Sequence, residues 1–281
     1  MKGQDAKSDE RPFSKLRWSL IGLFAVVSIF FVLYTNPVVF ALLPNIHASL
    51  LLVIAGLYGI ERYSFKNTAI FFLITGIVSL SIEALSIQTG FPLSYHYNLS
   101  SPIVLYQVPL IVIFAYFGAG YISWMLSHVL TGQYSKKLEG KQIFIVPFIA
   151  AFIMVMWDLI MDPVASTVLS QWVWQSPGAY FGVPITNFLG WFVTVFIFYQ
   201  IFALYLSKYD RIQLQKVKTL TNKPFWIGAS VVYGLIGLYP ILVSVAIHND
   251  ITASMSLVTV FTMIFVALIS FITIMNNDDL S

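Results

Sequence analysis

Three acidic residues stand in stretches that are otherwise nearly free of charge. They are Glu83 in Ser81-Ile82-Glu83-Ala84, and Asp158 and Asp162 in Trp157-Asp158-Leu159-Ile160-Met161-Asp162-Pro163. Ionisable side chains inside apolar spans are costly, rare and by default functional. The four-residue separation of Asp158 and Asp162 puts both on one helical face if the helix reaches Asp162, although Pro163 is expected to bias Asp162 away from helical geometry. No Lys or Arg is predicted on their side of the chain. A carboxyl group buried without a cation keeps its proton more readily, and a second one nearby acts the same way. One member of such a group can serve as a Brønsted acid, while a remaining carboxylate stabilises a cation or takes a proton from water. The alternative use is structural: capping helices, or bonding to loop backbone and to Asn and Tyr side chains.

Aromatic residues gather around these acids: Phe91, Tyr95, Tyr97, Trp157, Trp172, Trp174, Tyr180, Phe181 and Trp191. An interfacial Trp/Tyr belt explains many such residues in membrane proteins, and Trp172 and Trp174 are assigned to it. Trp157, next to Asp158, and Trp191, four beyond Asn187, fit better in a π-lined pocket that tolerates a cation. Of the four histidines, only His96 in Ser94-Tyr95-His96-Tyr97-Asn98 lies near the long loops. Four scattered histidines do not supply the clustered ligands of a membrane di-iron centre. Without cysteine, disulfides, thiolate chemistry and Cys-based metal sites are excluded. No span contains the lysine that a retinal Schiff base needs, and no glycine-rich phosphate loop or dinucleotide fingerprint is present. The expected chemistry therefore uses no cofactor and no metal, and no nucleic-acid partner is expected.

The elements that must position these residues are membrane helices. The 281 residues are 58% hydrophobic and only 10% charged, whereas a soluble domain carries about 25% charged residues. A helix needs about 20 mostly apolar residues to cross a bilayer. Eight such runs are predicted, at about 17–35, 38–60, 68–87, 104–127, 142–162, 186–207, 224–247 and 251–275. The first is too long for a cleaved signal peptide and lacks a small-residue cleavage site. Pro44 and Asn45 are expected to kink or delay the second. All fifteen basic residues then fall on one side: Lys2, Lys7, Arg11, Lys15, Arg17; Arg62, Lys66; Lys136, Lys137, Lys141; and Lys208, Arg211, Lys216, Lys218, Lys223. Short loops rich in Lys and Arg face the cytoplasm, so the N-terminus is expected inside. The opposite loops, about 36–37, 88–103, 163–185 and 248–250, carry no Lys or Arg, and the two long ones hold the candidate chemistry. The fold class read from this pattern is an all-α polytopic membrane bundle of about eight helices. It forms one integral domain over 1–281, with a cytoplasmic tail at 1–16, multi-pass in the cell membrane.

Three stretches carry a family resemblance. The first is Glu83-Ala84-Leu85, followed by Thr89-Gly90-Phe91-Pro92 and Tyr95-His96-Tyr97. The second is Trp157-Asp158-Leu159-Ile160-Met161-Asp162-Pro163-Val164-Ala165. The third is Tyr180-Phe181-Gly182-Val183-Pro184 with Asn187-Phe188-Leu189-Gly190-Trp191-Phe192. In order and spacing they resemble the CruF-type integral-membrane carotenoid biosynthesis proteins, which include carotenoid 1',2'-hydratases and bisanhydrobacterioruberin hydratase. The resemblance covers 80–195. Pro92-Leu93-Ser94-Tyr95 departs from the Pro-Phe-Gly-type run of that family.

The resemblance implies hydration of the terminal C1',2' double bond of an acyclic carotenoid. A proton goes to C2', a tertiary cation forms at C1', and water captures it. Asp158 or Asp162 would then be the acid, with the other acid and Glu83 orienting water. Trp157, Tyr180 and Trp191 would line the cation, and Asn187 would hold the water. Phe91, Tyr95 and His96 would complete the substrate contacts. The implied partners are a lipophilic carotenoid, membrane lipid and other carotenoid biosynthesis enzymes. Two other readings stay open: a cyclase acting on the same end group, and a non-catalytic lipid or polyene carrier.

Overall fold

The computed structural model describes residues 13–33, 37–98, 103–134, 136–210 and 220–280. Within them run α1 Ser14–Leu33, α2 Pro37–Arg62, α3 Phe65–Thr89, α4 Leu110–Leu130, α5 Gln142–Asp162, α6 Ile185–Tyr209, α7 Lys223–Ala246 and α8 Asp250–Met275. Six of these, α3 to α8, are long and apolar enough to cross a membrane. The chain is an all-α polytopic membrane bundle. Lys2, Lys7, Arg11, Arg211, Lys216 and Lys218 lie outside the described residues.

The helices alternate in direction, as the pattern of basic residues predicts. At one end, Arg17 at the start of α1 donates from Nη1 to Glu61 at the end of α2. Arg62 Nη2 donates to His128 Nδ1 at the end of α4 at 2.7 Å, and its guanidinium lies 4.6 Å from the Trp226 ring at the start of α7. Lys223 Nζ reaches the Met275 carbonyl at the end of α8 at 3.2 Å. The opposite end collects the ends of α3 and α5 and the starts of α4 and α6. Two sequence expectations are corrected here. Arg17 and Arg62 are buried in the bundle rather than solvated in loops. Glu61, not counted among the acids of the spans, is a fourth buried acid. Both changes arise because α1 starts three residues before, and α2 ends two residues after, the apolar runs, where neutralisation by Arg17 allows Glu61 to be buried. Helix α2 runs from Pro37 through Pro44 and Asn45, so its start is not delayed to Asn45.

Helix α4 is the hub and packs against α2, α3, α5, α7 and α8. Its Gly118-Ala119-Gly120 run lets neighbours approach closely. A Cβ at Gly118 would meet the Leu51 side chain of α2 at 2.7 Å. The Tyr199 hydroxyl of α6 donates to the Gly120 carbonyl at 2.7 Å. This helix starts at Leu110 rather than at 104. Val104–Leu105 (β2) and Val108–Pro109 (β3) pair as a tight hairpin across Tyr106 and Gln107, both at positive φ. Pro109 disfavours helix in the residue before it and supplies no N–H, so the apolar run 104–109 cannot join the helix.

Beyond Asp162 the α5 chain continues into a π-helical turn, Pro163–Val168. Asp162 keeps helical angles, φ −59° and ψ −48°, against the bias expected from Pro163. The wider turn absorbs the missing proline donor, and Leu169 N–H bonds to the Val164 carbonyl five residues back. The two long loops are then joined by a small sheet. Tyr95–Tyr97 (β1) pairs antiparallel with Trp172–Trp174 (β4) in the register Tyr95↔Trp174, His96↔Val173, Tyr97↔Trp172.

Two outcomes test this architecture. Replacing Arg17 by Ala strands Glu61 without its cation and should destabilise the purified protein by about 3–5 kcal/mol, read by thermal unfolding in detergent. Because the chain has no cysteine, single cysteines report its orientation directly. His96→Cys should react with an impermeant maleimide in intact cells, whereas Lys136→Cys should react only after permeabilisation. Labelling of both from one side would break the topology.

Candidate functional site

The acid group forms where α3, α5 and α6 meet the β1–β4 sheet. Gly90, at φ 73°, closes α3 and turns the chain back over the helix end, so Glu83 lies about two turns below the sheet. Asp158 and Asp162 share a face of α5. Asn187 enters from the first turn of α6, where its N–H caps onto the Pro184 carbonyl at 2.9 Å. A compact turn sets that start: Tyr180 pairs with Val183, and Gly178 pairs with Gly182. A Cβ on Gly178 would lie 2.2 Å from Pro184, so only glycine fits there.

All four polar side chains are buried. The single Asn187 amide nitrogen donates to Oδ2 of Asp158 at 3.3 Å and also to Oδ2 of Asp162. Glu83 accepts from three phenols: Tyr95, Tyr97 at 3.0 Å and Tyr116 at 3.2 Å. Burial and the Glu83 carboxylate hold the Tyr97 phenol well above its usual range, so it remains a donor. Asn187 Oδ1 has no partner among the described residues. Nor is any Lys or Arg there ion-paired with Glu83, Asp158 or Asp162, and Arg17 and Arg62 occupy the other end of the bundle. No three metal-ligating side chains are grouped for a metal ion among the described residues.

Strand alternation turns the inner face of the small sheet into an aromatic cover. Tyr95 lies 5.1 Å from Trp174 and Tyr97 lies 6.1 Å from Trp172, ring to ring. Trp174 Nε1 donates to Ser166 Oγ at 3.1 Å, and Ser166 Oγ donates to the Asp162 carbonyl at 2.7 Å. The cover is thereby tied to the acid helix. Trp172 and Trp174 are buried on the inner face of this sheet instead of forming a lipid belt. Their Trp-Val-Trp alternation matches Tyr-His-Tyr across the sheet, a period-two signal present in the sequence.

The other candidates divide. The Trp191 ring is buried and lies 4.6 Å from the Tyr116 ring, against the Glu83 group. Tyr116 was missed from sequence because one tyrosine in an apolar helix carries no pattern of its own. Trp157 is half-buried on α5 beside Asp158. Tyr180 packs on Phe188 at 5.1 Å and directs its hydroxyl to Met255 of α8 at 3.9 Å rather than to one of the acids. His96 faces outward on β1, and Phe91 is 71% exposed, so neither joins the acid group.

Replacing Trp174 by Phe keeps a ring but removes the indole donor. Amide exchange across 94–98 and 171–175 should speed up several-fold, the loss of about 1 kcal/mol of local protection. Unchanged exchange would mean that the indole bond does not hold the cover down.

Comparison with curated proteins and with solved structures finds no match. A family model described as carotenoid biosynthesis protein matches residues 38–263. That span contains Glu83, the Asp158–Asp162 pair, Asn187 and the whole aromatic cover, and it extends well beyond 80–195 on both sides. The chain belongs to the carotenoid biosynthesis protein family.

Proposed function

We propose that this protein hydrates the terminal C1',2' double bond of an acyclic carotenoid end group without a cofactor. The observation that carries the reading is the cation-free cluster of three buried carboxyl groups under an aromatic cover, with two of them bridged by one amide. Two carboxyl groups holding one proton between them contain both an acid and a base. The proton passes from the Asp158–Asp162 pair to C2', the π pair of the alkene forms the new C–H bond, and the positive charge appears at C1'. Glu83, held by its three phenols, presents its carboxyl oxygens nearby, and Trp191 and Tyr116 offer ring faces to the cation. Water adds through its oxygen lone pair to C1' and returns a proton to the carboxylate pair. Substrate plus one water equals the tertiary alcohol, and the acid is regenerated.

Asn187 couples the two halves of this cycle. Its Nδ2 orients both carboxyl groups, and its unpartnered Oδ1 can accept a hydrogen bond from the attacking water. Oriented water is what separates the alcohol from the ring product of a cyclase. The polar lining of Asn187, Tyr95, Tyr97 and Tyr116 favours hydration. The carrier reading has no specific observation in its favour. The cytoplasmic orientation and the cell membrane location expected from the basic loops belong to this same reading.

Expression in a lycopene-producing bacterial host with mass analysis of pigments tests the function. A gain of one or two waters is expected, whereas a new isomer of unchanged mass would replace the hydratase by a cyclase. Asp158→Asn and Asp162→Asn should each lower product at least ~100-fold, the scale of positioned acid–base catalysis. Tyr116→Phe, which removes one donor from Glu83, should lower it about tenfold. Unaltered products from both Asp variants would remove the catalytic reading altogether.

A further inference from the structure

On the seam of α5 and α6, four phenylalanine rings meet on the outside of the bundle. Phe152 lies 4.8 Å from Phe192, Phe148 lies 5.0 Å from Phe152, and Phe148 lies 5.7 Å from Phe192. Phe192 and Phe196 are parallel, 6.4 Å apart with 1° between their planes. Phe148 and Phe152 are each 47% exposed, and the other two are half-buried, so the rings form a surface strip rather than core. The outward phenylalanines of α8 do not build such a strip. Phe261 and Phe265 of α8 are exposed, yet no ring contact joins them among the described residues.

The strip lies below the acid group on the same two helices. Phe192 follows Trp191, whose ring reaches Tyr116. Phe152 precedes Asp158 by six residues and Phe148 by ten, which puts them about 9 and 15 Å from it along the helix axis, towards the middle of the membrane.

We propose that this phenylalanine strip is the binding track for the conjugated chain of the carotenoid, a stiff planar polyene whose end group turns in at Asp158 and Asp162. The end-group assignment rests on the hydration reading, but the track itself does not. A polyene has a π face along its length and almost no rotational freedom to lose, so it gains offset and edge-to-face contacts from each ring. A saturated acyl chain gains only dispersion and pays for being straightened. An antiparallel helix pair with rings on both sides of its seam offers a row of contacts along one line. It therefore selects for a rod over a flexible chain, and it holds the reacting end in register with the acids.

The test uses the full-length protein in phosphatidylcholine nanodiscs loaded with lycopene, reading retained pigment per protein and induced circular dichroism in the visible band. Phe152→Leu with Phe192→Leu keeps the lipid-facing surface apolar and removes two rings. It should retain roughly tenfold less lycopene and lose the induced signal. The single variant Phe148→Leu should give an intermediate loss, which separates ring contacts from a folding failure of the double variant. Phe261→Leu with Phe265→Leu should retain pigment as the parent does. Retention unaltered by the strip variants would overturn the proposal and leave the strip to acyl chains only. A change from dimer to monomer with retention unaltered would also overturn it, assigning the strip to a second copy. Failure of the hydration reading would appear separately, as product masses indifferent to Asp158→Asn, while pigment retention still reports on the strip.

Discussion

In hydrocarbon a polar group that is not satisfied within the protein has no water to turn to, and this constraint governs both ends of the bundle. Each end buries charge, but each satisfies it differently. At the basic end, opposite charges meet: Arg17 with Glu61. At the other end, carboxyl groups gather with no cation among the described residues and are satisfied by neutral donors, one amide and three phenols. An ion pair there would lock the carboxylates as counter-ions. Amide and phenol partners instead orient the oxygens and leave them able to exchange protons, which is the property the proposed chemistry needs.

The fold supplies this arrangement through close helix packing and a tethered cover. Small residues on α4 allow α2 and α6 to approach the hub, and α6 in turn brings Asn187 opposite the acid face of α5. The β1–β4 sheet lies across the top, and its inward rings come from alternate residues on both strands. Trp174, Ser166 and the Asp162 carbonyl then link the sheet to the π-helical end of α5. One chain of contacts thus connects the exposed loops to the carboxyl pair, so the cover and the acids are built as a unit. Single π-helical turns are frequent at functional sites, and here the π turn lets the chain pass Pro163 without turning Asp162 away.

The lateral surface completes the physical picture. A lipid-soluble substrate has no need of a water-filled mouth, because it can approach between helices from the bilayer. The acids sit at the rim of the membrane, and the ring strip on the α5–α6 seam leads from that rim towards the midplane. A rod-like ligand lying along the seam would present its end, rather than its middle, to the carboxyl pair. In the proposed function, reaction at a chain terminus would then be a matter of where the track stops.

Much of this was already written in the order of residues. Hydrophobic runs of about bilayer length specify the helices because no other unpaired backbone survives in lipid. The one-sided placement of Lys and Arg specified the alternation, and charge in apolar runs singled out Glu83, Asp158 and Asp162. Periodicity along one helix cannot say which side chain on another helix arrives opposite. Only the tertiary structure brought Tyr116 and Trp191 to the Glu83 group, Asn187 between the two aspartates, and Trp172 and Trp174 onto the inner face of a sheet rather than into lipid. It likewise separated His96 and Phe91 from the acids, since strand alternation and local exposure, not nearness in sequence, decide which way a side chain faces. Hydropathy records whether a segment leaves water, which each residue settles nearly alone; the partners of a buried carboxyl group are set by packing among four elements at once, and that information exists only in three dimensions.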